Sequence, residues 1–132
     1  MSIPFTPWPE AVAAEYRERG LWSGEPFGAL LERLAFEHGD RVAVTDGENW
    51  LSYVSLLDRS LRVAAGLSGI GLRRGDIAVV QSANTCEYLV ALFALFRLGV
   101  APVCALPAHR EAEIGYFCGH TGAVAYLHPG GP

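Results

Sequence analysis

The chain has 132 residues, 51% of them hydrophobic, and a formal net charge of -4. That length fits one compact domain, and the apolar content is enough to close a core, which excludes intrinsic disorder for the chain as a whole. All ten basic residues are arginine; without lysine, this chain supplies no Schiff base, no P-loop lysine and no lysine clamp on a phosphoryl or acyl phosphate. The acidic balance leaves no electrostatic footprint for nucleic acid, because Arg73 and Arg74 are the only adjacent basic pair and counterion release needs many more. A solvated loop tip accounts for that pair.

The first ten residues, MSIPFTPWPE, have neither a basic start nor an apolar run and do not read as a secretory signal. From Pro9 to Arg19 the pattern predicts a short helix, with Gly20 past its end, Val12 and Tyr16 on one face and a Glu15–Arg19 pair. A second helix is expected from near Pro26, with Phe27, Leu30, Leu31, Leu34 and Ala35 at helical period and Gly39 as its cap. Val42–Val44 reads as a strand, Asp46-Gly47 as a turn, and Trp50-Leu51 as the returning strand. Ser52 is a plausible N-cap for a long helix to about Ser68, with Val54, Leu57, Leu61 and Ala64 toward the core.

Ile77–Val80 is a short apolar run of the kind buried on both faces of a parallel sheet. Asn84 and Glu87 resemble a capping box that opens a helix to Leu98, and that helix is apolar nearly all round, hence buried on several sides. Ala101–Leu106 predicts a strand, a helix follows from about Arg110, and Val124–Leu127 predicts a last strand. The apolar stretch from Tyr88 to Ala108 is about as long as a membrane span. Arg97, Gly99, Pro102 and Pro107 break it, so a buried helix, a turn and a strand are expected, and no membrane association.

The expected fold is α/β: a partial, largely parallel sheet with flanking helices in a three-layer-like arrangement, preceded by two N-terminal helices and a β-hairpin. Residues 1–41 form a helical segment, 42–128 the α/β subdomain and 129–132 a flexible tail. The sequence runs out where such a sheet would add its next unit.

Each candidate site competes with a plainer reading. Gly66, Gly69, Gly71 and Gly75 close a helix and precede a strand, the reverse of a dinucleotide fingerprint, so helix termination is favoured. Cys104, His109, Cys118, His120 and His128 lack the paired short spacing of a zinc site. Buried thiols and surface histidines are expected, and no metal site. Three widely spaced cysteines argue against a disulfide framework and fit a reducing, cytoplasmic compartment. Cys86 or Cys118 with a histidine would make a nucleophile pair only through spatial contact, and Cys86 in a first helical turn would feel the helix dipole. A packing role is favoured. Glu111 and Glu113 point to different sides of a helix and do not form an acid/base pair. Trp8, Trp22 and Trp50 fit either a binding surface or anchors for the N-terminal segments.

Three segments carry a resemblance. GDRVAVTDGENWLSYVSLLDR (Gly39 to Arg59) and LFRLGVAPVCALP (Leu95 to Pro107) resemble the first two core motifs of acyl-adenylate-forming ligases, and GLRRGDIAVVQSANTCEYLVALFAL between them resembles the intervening strand and helix. PWPEAVAAEYRERGLW, ALPAHREAEIGYF and GAVAYL resemble the aryl-acid branch, which activates 2,3-dihydroxybenzoate or salicylate for siderophore assembly. Ser55 stands where the first motif usually has glutamate, a change to the cap of the helix that Ser52 opens.

The resemblance implies ATP and Mg2+ as cofactors of the complete ligase and an acyl or aryl carrier protein as its partner. It also implies a Ser/Thr/Gly-rich phosphate loop, a ribose-binding acid and a C-terminal lysine, all downstream of the matched region. No catalytic, cofactor-binding or metal residue of the family maps onto this sequence. The expectation is an N-terminal ligase subdomain, inactive alone, with apolar surface exposed for self-association or for docking to the missing portion. Two other readings stay open: an interaction or regulatory protein, including one half of a split ligase, and an unrelated enzyme using Cys86 or Cys118.

Overall fold

The structure, a computed structural model, describes residues 6–130; part of the expected tail, 131–132, lies outside the described residues. Two short helices lead in, α1 (Glu10–Glu18) and α2 (Phe27–His38). A β-hairpin follows, β1 (Val42–Thr45) and β2 (Trp50–Ser52), then α3 (Tyr53–Gly69), β3 (Ile77–Gln81), α4 (Cys86–Leu98), β4 (Ala101–Ala105), α5 (Glu111–Thr121) and β5 (Ala125–Leu127). The hairpin is its own antiparallel sheet, and the other strands form a parallel sheet in the order β4-β3-β5. Alternating strands and helices therefore gave the expected α/β layer, with the hairpin set apart from it.

The chain steps from β3 to β4 on one side and then returns across β3 to β5 on the other. Right-handed crossovers put α4 and α5 on opposite faces when the direction reverses. Side chains agree: Ala78 and Val80 of β3 pack with Leu95 of α4, while Gln81, on the alternate face, borders Ile114 and Gly115 of α5. The α5 face carries a single helix with no fully buried residue, whereas α4 is covered a second time by α2 and α3.

Burial of α4 divides the core into two clusters. Cys86 and Val90 pack with Leu31 of α2, Leu51 of β2 and Leu56 of α3. Leu95 packs with Leu72, Ala78, Val80 and Val100. The apolar stretch that reached span length is thus a buried helix, a left-handed Gly99 cap at φ 71° and a strand. Among the described residues, no helix is long and apolar enough to cross a membrane.

Two local expectations shift. The N-cap of α4 is Thr85, not Asn84: its Oγ1 accepts from Tyr88 N–H at 3.2 Å. The face α3 buries is Leu56, Ser60 and Ala64, with Val54 and Leu61 exposed. Ser60 and Ala64 are small enough to let α3 approach α4 closely, and that contact outweighs the apolar count on the neighbouring stripe. On α1 Val12 and Tyr16 share a half-buried face as expected, and the fully buried residue beside them is Ala13. The Ser52 cap forms as expected, accepting from Ser55 N–H at 3.2 Å, and the Ser52 hydroxyl reaches Ser55 Oγ at 3.0 Å.

Asp46 joins the hairpin to α4. One carboxylate oxygen accepts from Asn49 N–H at 3.0 Å within the turn, and the other accepts from Cys86 N–H at 3.1 Å, an otherwise orphan donor of the first turn of α4. These donors, Asn49 first and Cys86 next, hold its pKa at about 2 against an ordinary 3.8. A lowered carboxylate pKa stabilises the fold fully above its unfolded value and loses that contribution as pH falls through the folded one. Acid unfolding followed by circular dichroism should therefore show a stability loss between pH 3.8 and about 2 that Asp46→Asn largely removes, because the amide no longer titrates.

Candidate functional site

Open α/β sheets form ligand crevices beyond the carboxyl ends of their strands, where the direction of strand addition reverses. In this chain that point is the end of β3, and its last residue is Gln81. Gln81 Nε2 lies 2.9 Å from the carbonyl oxygens of both Leu106 and His109 and 3.3 Å from that of Pro107. Its Oε1 accepts from the Tyr126 hydroxyl of β5. A single amide thus ties the loop between β4 and α5 to the central strand β3 and, through Tyr126, to β5. Within that loop His109 Nδ1 accepts from Leu106 N–H at 3.1 Å, and the His109 ring lies edge-on to Phe117.

Two open hollows flank the Gln81–Tyr126 pair. One, of about 480 Å³, lies on the α5 side against His109, Arg110, Glu111 and Ile114. The other, of about 390 Å³, lies on the α4 side against Glu87, Tyr88, Ala91, Leu127 and His128. Their polar groups are mostly engaged. Both N–H donors of Gln81 are shared among three backbone carbonyls, and Glu113 accepts from Arg110 N–H at 2.8 Å, which lowers its pKa. The Tyr88 phenol is pushed up, first by the adjacent Cys104 thiol and then by burial, and so stays protonated at neutral pH. Glu111 stays exposed, apart from Glu113 in role. The arrangement fixes backbone; it does not aim a nucleophile and base at one point.

The remaining sequence candidates disperse. Cys86 is fully buried, and burial, followed by the Asp46 charge, pushes its thiol up; desolvation and a carboxylate outweigh the helix dipole invoked for it. Cys104, expected to be buried, is exposed because β4 is an outer strand of this sheet, and Cys118 is half-buried. His120 and His128 stack on Tyr116 and Tyr126. Among the described residues, no three His, Cys, Asp or Glu groups converge to hold a metal ion. Gly69 ends α3, Gly71 and Gly75 take positive φ in the turns after it, and Arg73 and Arg74 sit there in solvent. Trp22 packs edge-on with Tyr16 and Trp8, which fits the anchor role, while Trp50 is exposed.

Residue-by-residue reading of the sequence passed over Gln81 and Tyr126. The available signal was a polar residue closing the apolar run Ile77–Val80. Replacing Gln81 with leucine should cost about 1–3 kcal/mol, the scale of two lost hydrogen bonds, and speed hydrogen exchange in residues 106–110; unchanged exchange there would rule out the tether. Thiol labelling of the native chain should proceed fastest at Cys104, more slowly at Cys118, and at Cys86 only on unfolding.

The chain matches the AMP-binding enzyme family over residues 31–130 and belongs to it. Within that family it is 49% identical over 125 residues to the 2,3-dihydroxybenzoate-AMP ligase of Bacillus subtilis, covering 95% of this chain and 23% of that one. It is 44% identical over 128 residues to the salicyl-AMP ligase / salicyl-S-ArCP synthetase of Mycobacterium tuberculosis, covering 93% and 23% respectively. The apo structure of Mycobacterium smegmatis MbtA superposes with a TM-score of 0.87 at 41% identity, over 92% of this chain and 23% of that one. The chain therefore spans about a quarter of the length of these relatives, at their N-terminal end.

Proposed function

We propose that this chain is the N-terminal scaffold of an aryl-acid:AMP ligase and does not adenylate by itself. The complete enzyme would convert an aryl carboxylate and ATP to an acyl-adenylate and pyrophosphate, then pass the acyl group to the pantetheine thiol of a carrier protein, releasing AMP. The carrying observation is the combination of 49% identity across 95% of the chain with only 23% coverage of the relative. The segments similar to the family's core motifs build the β1–β2 hairpin, the start of α3, β3, α4 and β4, and these elements are packed together rather than gathered around a reacting atom. We assign no catalytic residue to the chain.

ATP and Mg2+ belong to the complete ligase. The residues present do not fit them: the donors at the strand ends are spent on backbone carbonyls, and the described residues offer no convergent metal ligands. Electrostatic stabilisation of the transferring charge is usually the largest catalytic contribution, so its donors must come from the remainder. A helical segment at 1–41, the α/β unit at 42–128 and a cytoplasmic setting complete this reading.

A second reading, one half of a split ligase or a regulator of a full-length one, is favoured by exposed apolar side chains. Phe36 is 92% and Ile70 77% exposed, which supports self-association or docking to another chain. ATP–pyrophosphate exchange with salicylate and 2,3-dihydroxybenzoate tests both readings. The chain alone should be silent and sediment above its monomer mass. A chimera in which it replaces the matching segment of the Bacillus subtilis relative should exchange. Activity on simply mixing the chain with that enzyme's remainder would establish the split form, and exchange by the chain alone would overturn the scaffold reading.

A further inference from the structure

The hairpin turn carries a covalent chemistry that its part in folding does not use. In an Asp-Gly pair the backbone nitrogen of the glycine can close on the aspartate side chain, because glycine has no side chain to obstruct the ring. Gly47 is exposed, and a Cβ placed on it would meet nothing within 4 Å, so the ring has room. Both reacting groups are nevertheless occupied. Gly47 N–H donates to Thr45 Oγ1 at 3.3 Å. Asp46 Oδ1 accepts from Asn49 N–H at 3.0 Å and from Glu48 N–H at 3.4 Å, and Oδ2 accepts from Cys86 N–H at 3.1 Å. Such donors favour the ionised carboxylate, which has no hydroxyl to lose.

We infer that Asp46-Gly47 is a site of spontaneous isoaspartate formation which the tether to α4 holds closed, and that its modification frees the start of α4. When the turn opens, the Gly47 nitrogen attacks the protonated Asp46 carboxyl. The N–Cγ bond forms, the nitrogen loses its proton, the Cγ–OH bond breaks, and one water leaves. Water then adds to the main-chain carbonyl of the imide and breaks its bond to the nitrogen, so that the chain runs on through Cγ. Atoms balance without oxidant, reductant or cofactor, and the mass is unchanged. The product has one extra methylene in the backbone and a carboxylate attached directly to Cα. A carboxylate so shortened does not both close the turn on Asn49 and reach Cys86 N–H, and an orphan donor of α4 loses its acceptor. The Cys86 thiol, fully buried and 3.8 Å from Asn49 O, reports that loss.

The chain is incubated at neutral pH, native and in urea, and isoaspartate at residue 46 is counted by peptide mapping with electron-transfer fragmentation. Formation should be about 10-fold or more slower in the native chain, because the charge-assisted bonds must break before the ring closes. Thr45→Val, at an exposed strand position, removes the acceptor of Gly47 N–H. It should raise the native rate about 2- to 10-fold and leave the rate in urea unchanged. The purified isoaspartyl chain should label at Cys86 about 10-fold faster than the unmodified chain, with labelling at Cys104 unchanged as the control. Equal rates in the native chain and in urea, or no isoaspartate in urea, overturns the site. Unchanged labelling of Cys86 in the isoaspartyl chain overturns its coupling to α4.

Discussion

Burial of α4 on both sides is the constraint on which the rest of this structure depends. Its sequence, CEYLVALFALFRL, offers apolar side chains around the whole helix, and a helix of that kind is stable in water only when other elements cover it. The sheet takes one side through Leu95, and α2, α3 and the hairpin take the other through Cys86 and Val90. A fully buried side chain of leucine size contributes about 1.5–3 kcal/mol, whereas an exposed ion pair such as Arg19–Glu15 contributes about 0–1 kcal/mol. Packing around α4 therefore sets the fold, and the charge pairs decorate it.

Close packing on α4 explains details that hydrophobicity alone does not. A Cβ at Gly28 of α2 would stand 3.2 Å from the Cα of Arg97, so the helices touch there through backbone. On α3 the small residues Ser60 and Ala64 are both buried. The start of α4 is held twice, by the Thr85 hydroxyl and by the Asp46 carboxylate reaching across from the hairpin turn. A turn of the hairpin thereby fixes the axial position of the central helix.

The carboxyl end of the sheet shows the same use of polar groups for position. Gln81 and Tyr126 fasten the β4–α5 loop to β3 and β5, and Glu113 and His109 complete the bonding inside and just beyond that loop. Such groups rigidify a surface without reacting at it. This suits the proposed scaffold role of a unit that makes up about a quarter of the relatives' length.

By itself the sequence determined the order and type of the elements, the hairpin turn at Asp46-Gly47, the Ser52 cap and the family, because each rests on local pattern or on contiguous motif. Tertiary structure decided what depends on partners distant in the chain. Leu56 rather than Val54 faces inward on α3 because α4 lies there, and Cys104 is exposed because no described strand covers that side of β4. The Asp46–Cys86 bond spans forty residues and the Gln81–Tyr126 bond forty-five. Periodicity reports one element's own apolar stripe; it carries no information on which neighbour that stripe meets, or on how closely the two backbones can approach.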